Sequence, residues 1–299
     1  MAQFTSSERH ILSLFNPGSY FYFEGEEYVV DISGKPTTKQ GEPKTDIYVK
    51  SFKTLGNEAI EFKISFKQEN ADFLENKMTA ERAQQIFGDR WKEIICDFTT
   101  QIEEKFLNRP YIFKRNSKRT KAGCITLGWK FELVNKPGGD LSDKVNLTPN
   151  EVLEVYAGRK LDDSKRNASV NGLIIPESGV ANSVINCNAQ SIYTIQEAVD
   201  NIIHIEKFAE QNPNVYFACK ALNYRSFENK YDGNRPLSVF IDWEVTDSKL
   251  NPYVRFDKPL VTKGNEVVRK LIESLNSLGI SNTDDIDETN VIPLNNIHF

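Results

Sequence analysis

The sequence predicts an α/β protein in which a mixed central β-sheet is flanked by helices. Two patterns carry this prediction. Residues 59–68 alternate between apolar and polar side chains, which is the period of a half-buried strand, and residues 79–107 repeat apolar side chains at helical spacing. The chain has 299 residues, of which 39% are hydrophobic and 26% are charged. A chain of this length and composition can bury a sizeable core.

The first elements precede the central motif. Residues 4–15 form a predicted helix, which an Asn-Pro-Gly turn at residues 16–18 ends. Residues 20–32 read as a strand pair, and a polar loop over residues 34–41 follows. This loop leads into a second hairpin, whose strands are predicted at residues 45–52 and 59–68.

The second hairpin brings an aspartate to a lysine. Asp46 begins the first strand, and the polar face of the return strand carries Glu61, Lys63, Ser65 and Lys67. A two-residue turn at Gly56-Asn57 places Asp46 opposite Lys67, and a looser connection places it opposite Lys63. A carboxylate that binds Mg²⁺ beside a lysine suits phosphodiester cleavage, because the metal polarises the phosphate and the lysine stabilises developing charge.

The remaining elements alternate helices and strands. The long helical stretch over residues 79–107 is expected to break at Gly88. The later predicted elements are strands 110–114 and 123–134, helix 148–156, helix 195–210 with a Thr194–Glu197 capping box, strands 215–222 and 237–245, and helix 264–279.

Two polar loops are candidates for contacts with nucleic acid. Residues 105–136 hold nine Lys or Arg residues against one acid, Glu132, in a chain of net charge −5. The first loop carries Lys114, Arg115, Lys118, Arg119 and Lys121, which suit phosphate contacts. The second carries Asn223, Tyr224, Arg225, Lys230 and Arg235, side-chain types that read base edges or bind phosphate. Ordinary solvated loops remain the alternative for both.

Composition excludes several other classes. The four cysteines form no CxxC pair and only three histidines occur, so no zinc-ligand spacing is present. No apolar run approaches the roughly 20 residues that cross a bilayer. The first residues lack the pattern of a signal peptide, and a cytoplasmic location is expected.

The central hairpin resembles a nuclease motif. The run Pro43-Lys44-Thr45-Asp46, followed by Ser65-Phe66-Lys67, is similar to the PD-(D/E)xK motif of type II restriction endonucleases. In that family the aspartate opens one strand, the lysine lies on the next, and the acidic residue two positions before the lysine is sometimes replaced by Ser. The resemblance implies a PD-(D/E)xK core.

The resemblance also assigns roles to single residues. Asp46 and the Phe66 carbonyl would bind the metal, Lys67 would position the water, and Ser65 would support the metal shell. Glu61 and Lys63 form an alternative catalytic pair. The second metal carboxylate is left open among Glu61, Glu42 and Glu8.

The implied function is Mg²⁺-dependent, sequence-specific cleavage of double-stranded DNA. Residues 1–136 would form the catalytic core, and residues 137–299 would supply recognition loops and helices, with a hinge at residues 137–140; one continuous domain is the alternative. A symmetric site favours a homodimer, and restriction implies a cognate DNA methyltransferase as a functional partner. The alternatives are a non-catalytic DNA-binding protein and a nuclease of repair or RNA processing.

Overall fold

The computed structural model describes residues 3–39, 41–69, 73–76, 78–292 and 296–299. In this part of the chain the α-helices are α1 (Gln3–Leu14), α2 (Ala80–Phe87), α3 (Trp91–Thr100), α4 (Glu103–Leu107), α5 (Pro149–Ala157), α6 (Asp163–Arg166), α7 (Ile195–Asp200), α8 (Ile205–Gln211) and α9 (Gly264–Ser277). Short 3₁₀ turns occur at Gly88–Arg90, Ala189–Ser191 and Thr283–Asp285.

The strands of the described residues follow the same chain order. They are β1 (Tyr20–Phe23), β2 (Glu26–Gly34), β3 (Ile47–Lys53), β4 (Ala59–Gln68), β5 (Phe73–Glu75), β6 (Ile112–Phe113), β7 (Cys124–Val134), β8 (Ser142–Val145), β9 (Ser169–Val170), β10 (Leu173–Ile174), β11 (Ser183–Cys187), β12 (Ile202–His204), β13 (Val215–Arg225), β14 (Lys230–Tyr231), β15 (Val239–Thr246), β16 (Lys249–Arg255) and β17 (Ile297–His298). The predicted α/β class is confirmed.

The chain forms two compact units, each assembled from two stretches of sequence. Unit 1 comprises residues 1–72 and 147–213, and unit 2 comprises residues 73–146 and 214–299. This division differs from the predicted boundary after residue 136. Strands β7 and β13 lie on either side of that point in sequence but pair along their length in unit 2. The predicted hinge segment therefore lies within one unit.

Unit 1 is built on a mixed sheet with the strand order β1-β2-β3-β4-β11-β12. The first four strands form antiparallel pairs. The chain later returns through α5 and α6 to β11, which pairs with β4 in parallel. One face of the sheet meets α1 and α7 over a buried apolar cluster that includes Ile11, Phe15, Ile47, Val49, Phe62, Ile64, Phe66, Ile185 and Val199.

The apolar side chains of β3 and β4 share one face of the sheet, as the sequence predicts. Ile47 and Val49 on β3 join Phe62, Ile64 and Phe66 on β4 in the apolar cluster. The other face therefore carries Asp46 and the alternate residues of β4, because successive side chains of a strand point to opposite faces. The hairpin itself places the polar residues of the motif on one surface.

The register of this hairpin differs from both predicted alternatives. Tyr48 pairs with Lys63 and Ile47 pairs with Ile64, where the ladder ends, and the Asp46 N–H donates to the Ile64 carbonyl, so neither Lys67 nor Lys63 lies opposite Asp46. The cause is the connection between the strands. The Lys53 N–H donates to the Glu58 carbonyl at 2.9 Å, which leaves a four-residue loop over residues 54–57 instead of two residues.

Unit 2 contains a larger, mainly antiparallel sheet whose central path is β14-β13-β7-β15-β16. Strand β7 is buried along almost its whole length, and the Phe131 and Phe217 rings stack with centroids 5.5 Å apart. Gly128 allows β15 to approach β7 closely. A Cβ at this position would lie 2.5 Å from the Val239 carbonyl oxygen, and the φ of +153° also favours glycine.

The predicted helix ends agree with the structure in most places. Helix α2 ends at Gly88, whose φ is +73°, and both Thr148 and Thr194 form capping boxes. The predicted helix over residues 195–210 is instead two helices. Between them β12 pairs with β11, so sheet pairing overrides helical periodicity there. No helix in the described ranges has both the length and the apolar character needed to cross a membrane.

Candidate active site

Asp46 is held at the entrance to β3 by a loop from later in unit 1. The Gly179 carbonyl accepts hydrogen bonds from the N–H groups of Lys44 at 2.9 Å and Thr45 at 3.3 Å. Gly179 can occupy this position because it has no side chain: a Cβ there would lie 1.8 Å from the Lys165 carbonyl oxygen. The segment that leads into Asp46 is thus fixed by a contact across more than a hundred residues of sequence.

The main chain of β4 orients the Asp46 carboxylate. The Asp46 N–H donates to the Ile64 carbonyl at 2.8 Å, and the Phe66 N–H donates to Asp46 Oδ2 at 2.8 Å. The side chain therefore leans along β4 toward Phe66 and Lys67. Among the described residues, no hydrogen-bond donor contacts Oδ1, so this oxygen keeps its acceptor capacity.

Ser65 and Lys67 share the face of β4 on which Asp46 lies. Lys67 makes no hydrogen bond to Asp46, but its positive charge acts to lower the pKa of that carboxyl group. The Ser65 side chain is only 1% exposed, and its Oγ has no hydrogen-bond partner in the described part of the chain. A buried hydroxyl without a partner is uncommon in folded proteins and needs an explanation.

An ion pair between α1 and the residue that follows β2 lies near this carboxylate. Lys35 Nζ lies 2.7 Å from Glu8 Oε2. Burial acts to lower the pKa of Lys35, but the hydrogen bond and charge of Glu8, together with the charges of Asp46 and Glu42, outweigh it, and the pKa is raised. We call Glu8, Lys35, Asp46, Ser65 and Lys67 the Asp46 site.

The environment of Asp46 raises its pKa to about 6. Burial is the largest cause, and the negative charge of Glu8 acts in the same direction. The charges of Lys67 and Lys35 and the Phe66 N–H act in the opposite direction. A carboxylate that is costly to ionise in the folded protein is typical of functional sites, because folding alone does not favour such an arrangement.

The alternative pair lies further along the strand. Lys63 is opposite Tyr48. Glu61 lies opposite Lys50, and Asp46 lies four residues before Lys50, which is a distance of about 13 Å along the strand. Glu61 and Asp46 are therefore too far apart to bind the same metal ion. Glu42 is exposed and acts on Lys35 through its charge, so Glu8 is the best placed of the three candidate second carboxylates.

The donor atoms of the Asp46 site suit a hard cation. Carbonyl groups two residues apart on a strand point toward the same neighbour, so the Phe66 carbonyl points toward the Asp46 end of β3, as the Ile64 carbonyl does. Carboxylate, carbonyl and hydroxyl oxygens are the ligands that Mg²⁺ takes. The described residues contain no group of three or more His, Cys, Asp or Glu that could hold a metal. Mg²⁺ usually binds through one or two carboxylates with water and phosphate oxygens, so the residues present fit this ion.

The first candidate DNA-binding loop connects β6 to β7 in unit 2. A bridge between Ser117 and Thr120 closes its tip. Lys114 has a structural role, because its Nζ donates to the carbonyls of Asp284 and Ile286. Lys118 lies 3.6 Å from Asp140 in an exposed ion pair. The side chains left exposed without a hydrogen bond to any described residue are Arg115, Arg119 and Lys121.

Some side chains of the second candidate loop are free to contact DNA, and others are buried or already bound within the protein. Tyr224 is buried, and its hydroxyl donates to Asn229, so its ring does not face solvent as a recognition residue would. Asn223 accepts a hydrogen bond from Thr126, and Arg225 is bound by Asp232 and Glu228. Lys230 and Arg235 are exposed, with no side-chain partner in the described ranges.

The structure brings the two loops of unit 2 together. Both line one cleft of about 230 Å³, to which the first loop contributes Arg119 and Lys121 and the second contributes Asn223 and Arg225. Lys114, Arg115 and Lys118 of the first loop, and Tyr224, Lys230 and Arg235 of the second, do not line it.

Sequence reasoning missed two residues of the Asp46 site region. Lys35 lies in a segment that reads only as a polar loop, and its pairing with Glu8 depends on the packing of α1. Gly179 belongs to no local sequence motif. A glycine is needed there because the Lys165 carbonyl leaves no room for a side chain. Neither residue carries a sequence signal that could have identified it.

The chain was compared with protein-family models, with curated proteins and with solved structures, and none of the three comparisons finds a match. Functional arguments therefore depend on the residues of this chain and their geometry.

The raised pKa of Asp46 predicts a pH-dependent stability difference for Asp46→Asn in the absence of divalent metal. In the wild-type protein the stability contribution of this carboxyl group is fully present below its unfolded pKa of about 3.9 and is lost as the pH rises through about 6. The asparagine variant has no such loss. Its free energy of unfolding, relative to wild type, should therefore rise by about 1–3 kcal/mol between pH 4 and pH 7.5.

Urea unfolding in EDTA across this pH range measures the difference. Equal pH profiles for the two proteins would show that Asp46 titrates as an ordinary surface carboxyl group.

Gly179→Ala should destabilise unit 1, because the new methyl group would meet the Lys165 carbonyl at 1.8 Å and push away the carbonyl that holds Lys44 and Thr45. We expect a loss of at least about 2 kcal/mol in the free energy of unfolding. Gly172→Ala is the control: its Cβ would meet nothing within 4 Å, and only its φ of +88° opposes the change. That variant should cost about 1 kcal/mol, and equal losses would refute the role given to Gly179.

Proposed function

We propose that this protein is a Mg²⁺-dependent endonuclease that cleaves double-stranded DNA at specific sequences, with a PD-(D/E)xK-type site of the kind found in type II restriction endonucleases. The observation that carries the proposal is the Asp46 carboxylate at the start of β3, held by the Phe66 N–H at 2.8 Å on the strand that presents Ser65 and Lys67.

Three features of unit 1 support this proposal. Asp46 precedes one strand and Lys67 lies on the next, as the motif requires. The Asp46 side chain leans toward Lys67 and away from Lys63, which favours the Ser65/Lys67 pair over Glu61/Lys63. Glu8 on the first helix is close enough to raise the pKa of Asp46, so a second carboxylate is available from α1.

Each residue of the site has a chemical role in this proposal. Asp46 and the Phe66 carbonyl would hold Mg²⁺, Glu8 would hold it directly or through water, and the unpartnered Ser65 hydroxyl would bind a water of its shell. Bound Mg²⁺ supplies polarisation of the scissile phosphate and a lower pKa for a coordinated water. Lys67 would orient the attacking water and stabilise the negative charge that develops on the phosphate oxygens.

The exposed basic side chains of unit 2 suit the substrate. Arg115, Arg119, Lys121, Lys230 and Arg235 are exposed cations on two adjacent loops, and such side chains bind phosphates. A protein of net charge −5 that concentrates cations on loops is better suited to a specific complex than to indiscriminate binding. A homodimer would match a symmetric site, and a cognate DNA methyltransferase would be the functional partner of a restriction enzyme.

A non-catalytic DNA-binding protein is the second candidate. The observation in its favour is the set of exposed cations on the two loops of unit 2, which could bind phosphates without a metal ion. Such a protein would bind DNA without metal and release no cleaved strands. A nuclease of repair or RNA processing is a third candidate, and it would act on ends, flaps or single strands.

Substitution of the site residues tests the proposal. Asp46→Asn and Lys67→Met should each lower the rate of duplex cleavage by about 100-fold or more, because each removes charge stabilisation at the reacting phosphate. Binding of the same duplex in EDTA should stay within about twofold of wild type. The measurement is digestion of phage-length duplex DNA in Mg²⁺ and in EDTA, followed by gel electrophoresis.

Lys63→Met is the matched control, because Lys63 lies on the same face of β4, two residues from Ser65 on the side away from Lys67. It should cleave at close to the wild-type rate. Activity in Lys67→Met with loss in Lys63→Met would transfer the catalytic role to Lys63. Intact DNA with folded wild-type protein under all metal conditions would exclude the nuclease, and failure to cut closed circles while ends are digested would favour the third candidate.

Metal binding itself should depend on pH. Because Mg²⁺ binds an ionised carboxylate and the pKa of Asp46 is about 6 without metal, affinity should fall about tenfold between pH 7.5 and pH 5. The increase in Tm on addition of Mg²⁺, measured with and without EDTA, should shrink accordingly and vanish in Asp46→Asn. An equal Mg²⁺-dependent Tm shift in the variant would place the ion elsewhere.

A further inference from the structure

The cleft of unit 2 contains an exposed aromatic ring among polar and basic side chains. Its volume is about 230 Å³, and its lining includes Arg119, Lys121, Asn223, Arg225, Phe227 and Asp232. Phe227 is 53% exposed. An exposed phenylalanine is common by itself, so its significance depends on how the ring is held and what surrounds it.

The turn that carries Phe227 is fixed to the neighbouring strand by buried hydrogen bonds. Ser226 donates to the Gly123 carbonyl through both its N–H at 2.8 Å and its Oγ at 2.9 Å. The Ser226 hydroxyl in turn accepts from the Thr283 N–H at 3.2 Å. Ser226 is buried, so three hydrogen bonds to two partners hold the residue immediately before Phe227 in place.

The Phe227 ring lies directly against Gly123. A Cβ on Gly123 would fall 2.3 Å from Cδ2 and 2.7 Å from Cε2 of the ring, and the φ of +84° also favours glycine there. The backbone thus supports one side of the ring while about half of the side chain stays exposed. A ring held in this way loses little conformational entropy when a second flat group stacks on it.

The charges around the ring suit a nucleotide. Arg225 is neutralised by Asp232 and Glu228, which leaves Arg119 and Lys121 as the lining cations without a hydrogen bond to any described residue. The Asn223 side chain accepts from Thr126 through its oxygen, and its amide nitrogen can donate to a base edge. Proteins bind unstacked bases with this combination of an aromatic platform and nearby cations for the phosphates.

We propose that this cleft binds one unstacked nucleobase, which stacks on Phe227 while Arg119 and Lys121 contact the adjacent phosphates. The inference depends on the proposed function in that it assumes a nucleic-acid substrate, and it adds a base-binding site to it. The base comes either from a single strand or from a duplex, from which it must be unpaired and extruded.

Binding without cleavage tests the cleft. The probes are a fluorescein-labelled single strand of 15 nucleotides with mixed sequence and the duplex of the same sequence, measured by anisotropy in EDTA. Phe227→Ala should weaken binding by about tenfold or more, since base–aromatic stacking contributes on the order of 1–3 kcal/mol. Phe227→Tyr should restore it. Tyr253→Ala, an exposed aromatic of unit 2 outside the cleft lining, should leave it unchanged.

The salt dependence separates the phosphate contacts from stacking. Arg119→Gln should reduce the slope of log K against log salt for the single strand by about 0.7, and Phe227→Ala should leave this slope unchanged. Both variants change exposed side chains, and their unfolding curves should match wild type.

The two probes identify the source of the base. A Phe227→Ala defect with the single strand alone indicates a single-stranded ligand. A defect with the duplex, together with Phe227-dependent brightening of 2-aminopurine placed in it, indicates extrusion. Equal binding of wild type and Phe227→Ala to both probes, or no binding of either probe by wild type, would overturn the proposal.

The outcome is separable from that of the nuclease. Discrete Mg²⁺-dependent cleavage with no effect of Phe227→Ala would reject the cleft alone. Phe227-dependent binding by a protein that leaves all DNA intact would reject the nuclease and retain the base-binding site.

Discussion

The hydrogen bond from the Phe66 N–H to the Asp46 carboxylate is the interaction on which the candidate site depends. It forms because β3 and β4 pair with Ile47 opposite Ile64, which brings Asp46, the residue before β3, to the Phe66 N–H. Another register would bring a different main-chain group of β4 to the carboxylate. The four-residue loop at the end of the hairpin sets this register, so a local turn decides which groups meet about 20 Å away along the strand.

The Asp46 carboxylate is held in one orientation by the main chain, but its surroundings oppose its ionisation. Burial and Glu8 oppose ionisation of Asp46, whereas Lys67, Lys35 and the main chain favour it. The unpartnered Ser65 hydroxyl adds a buried polar group that folding alone leaves unsatisfied. Both features are costs to the folded protein that a bound cation and its water shell would relieve. The same residues would then serve the chemistry of phosphodiester cleavage.

The two units have different candidate roles. Unit 1 holds the Asp46 site on a sheet with an apolar cluster behind it. Unit 2 presents basic loops from a sheet whose strand β7 is almost fully buried. Residues of the same type differ in their surroundings. The Lys114 amine binds the carbonyls of Asp284 and Ile286 and Arg225 is neutralised, while Arg119 and Lys121 remain exposed beside Phe227. Availability, rather than residue type, distinguishes the candidate binding residues from the structural ones.

The sequence by itself determined the α/β class, the strand that follows Asp46 and the strand that carries Lys67, the faces of those strands, and several helix ends. Each of these depends on periodicity, capping or turn chemistry within a few residues. The hairpin register differed from the prediction because its connection has four residues rather than two. Tertiary structure decided the division into two discontinuous units and the break at β12. It also brought Lys35 to Glu8, Gly179 to the start of β3 and Phe227 to Gly123. These contacts join residues far apart in sequence, and no local pattern records which distant partner a side chain or carbonyl will meet.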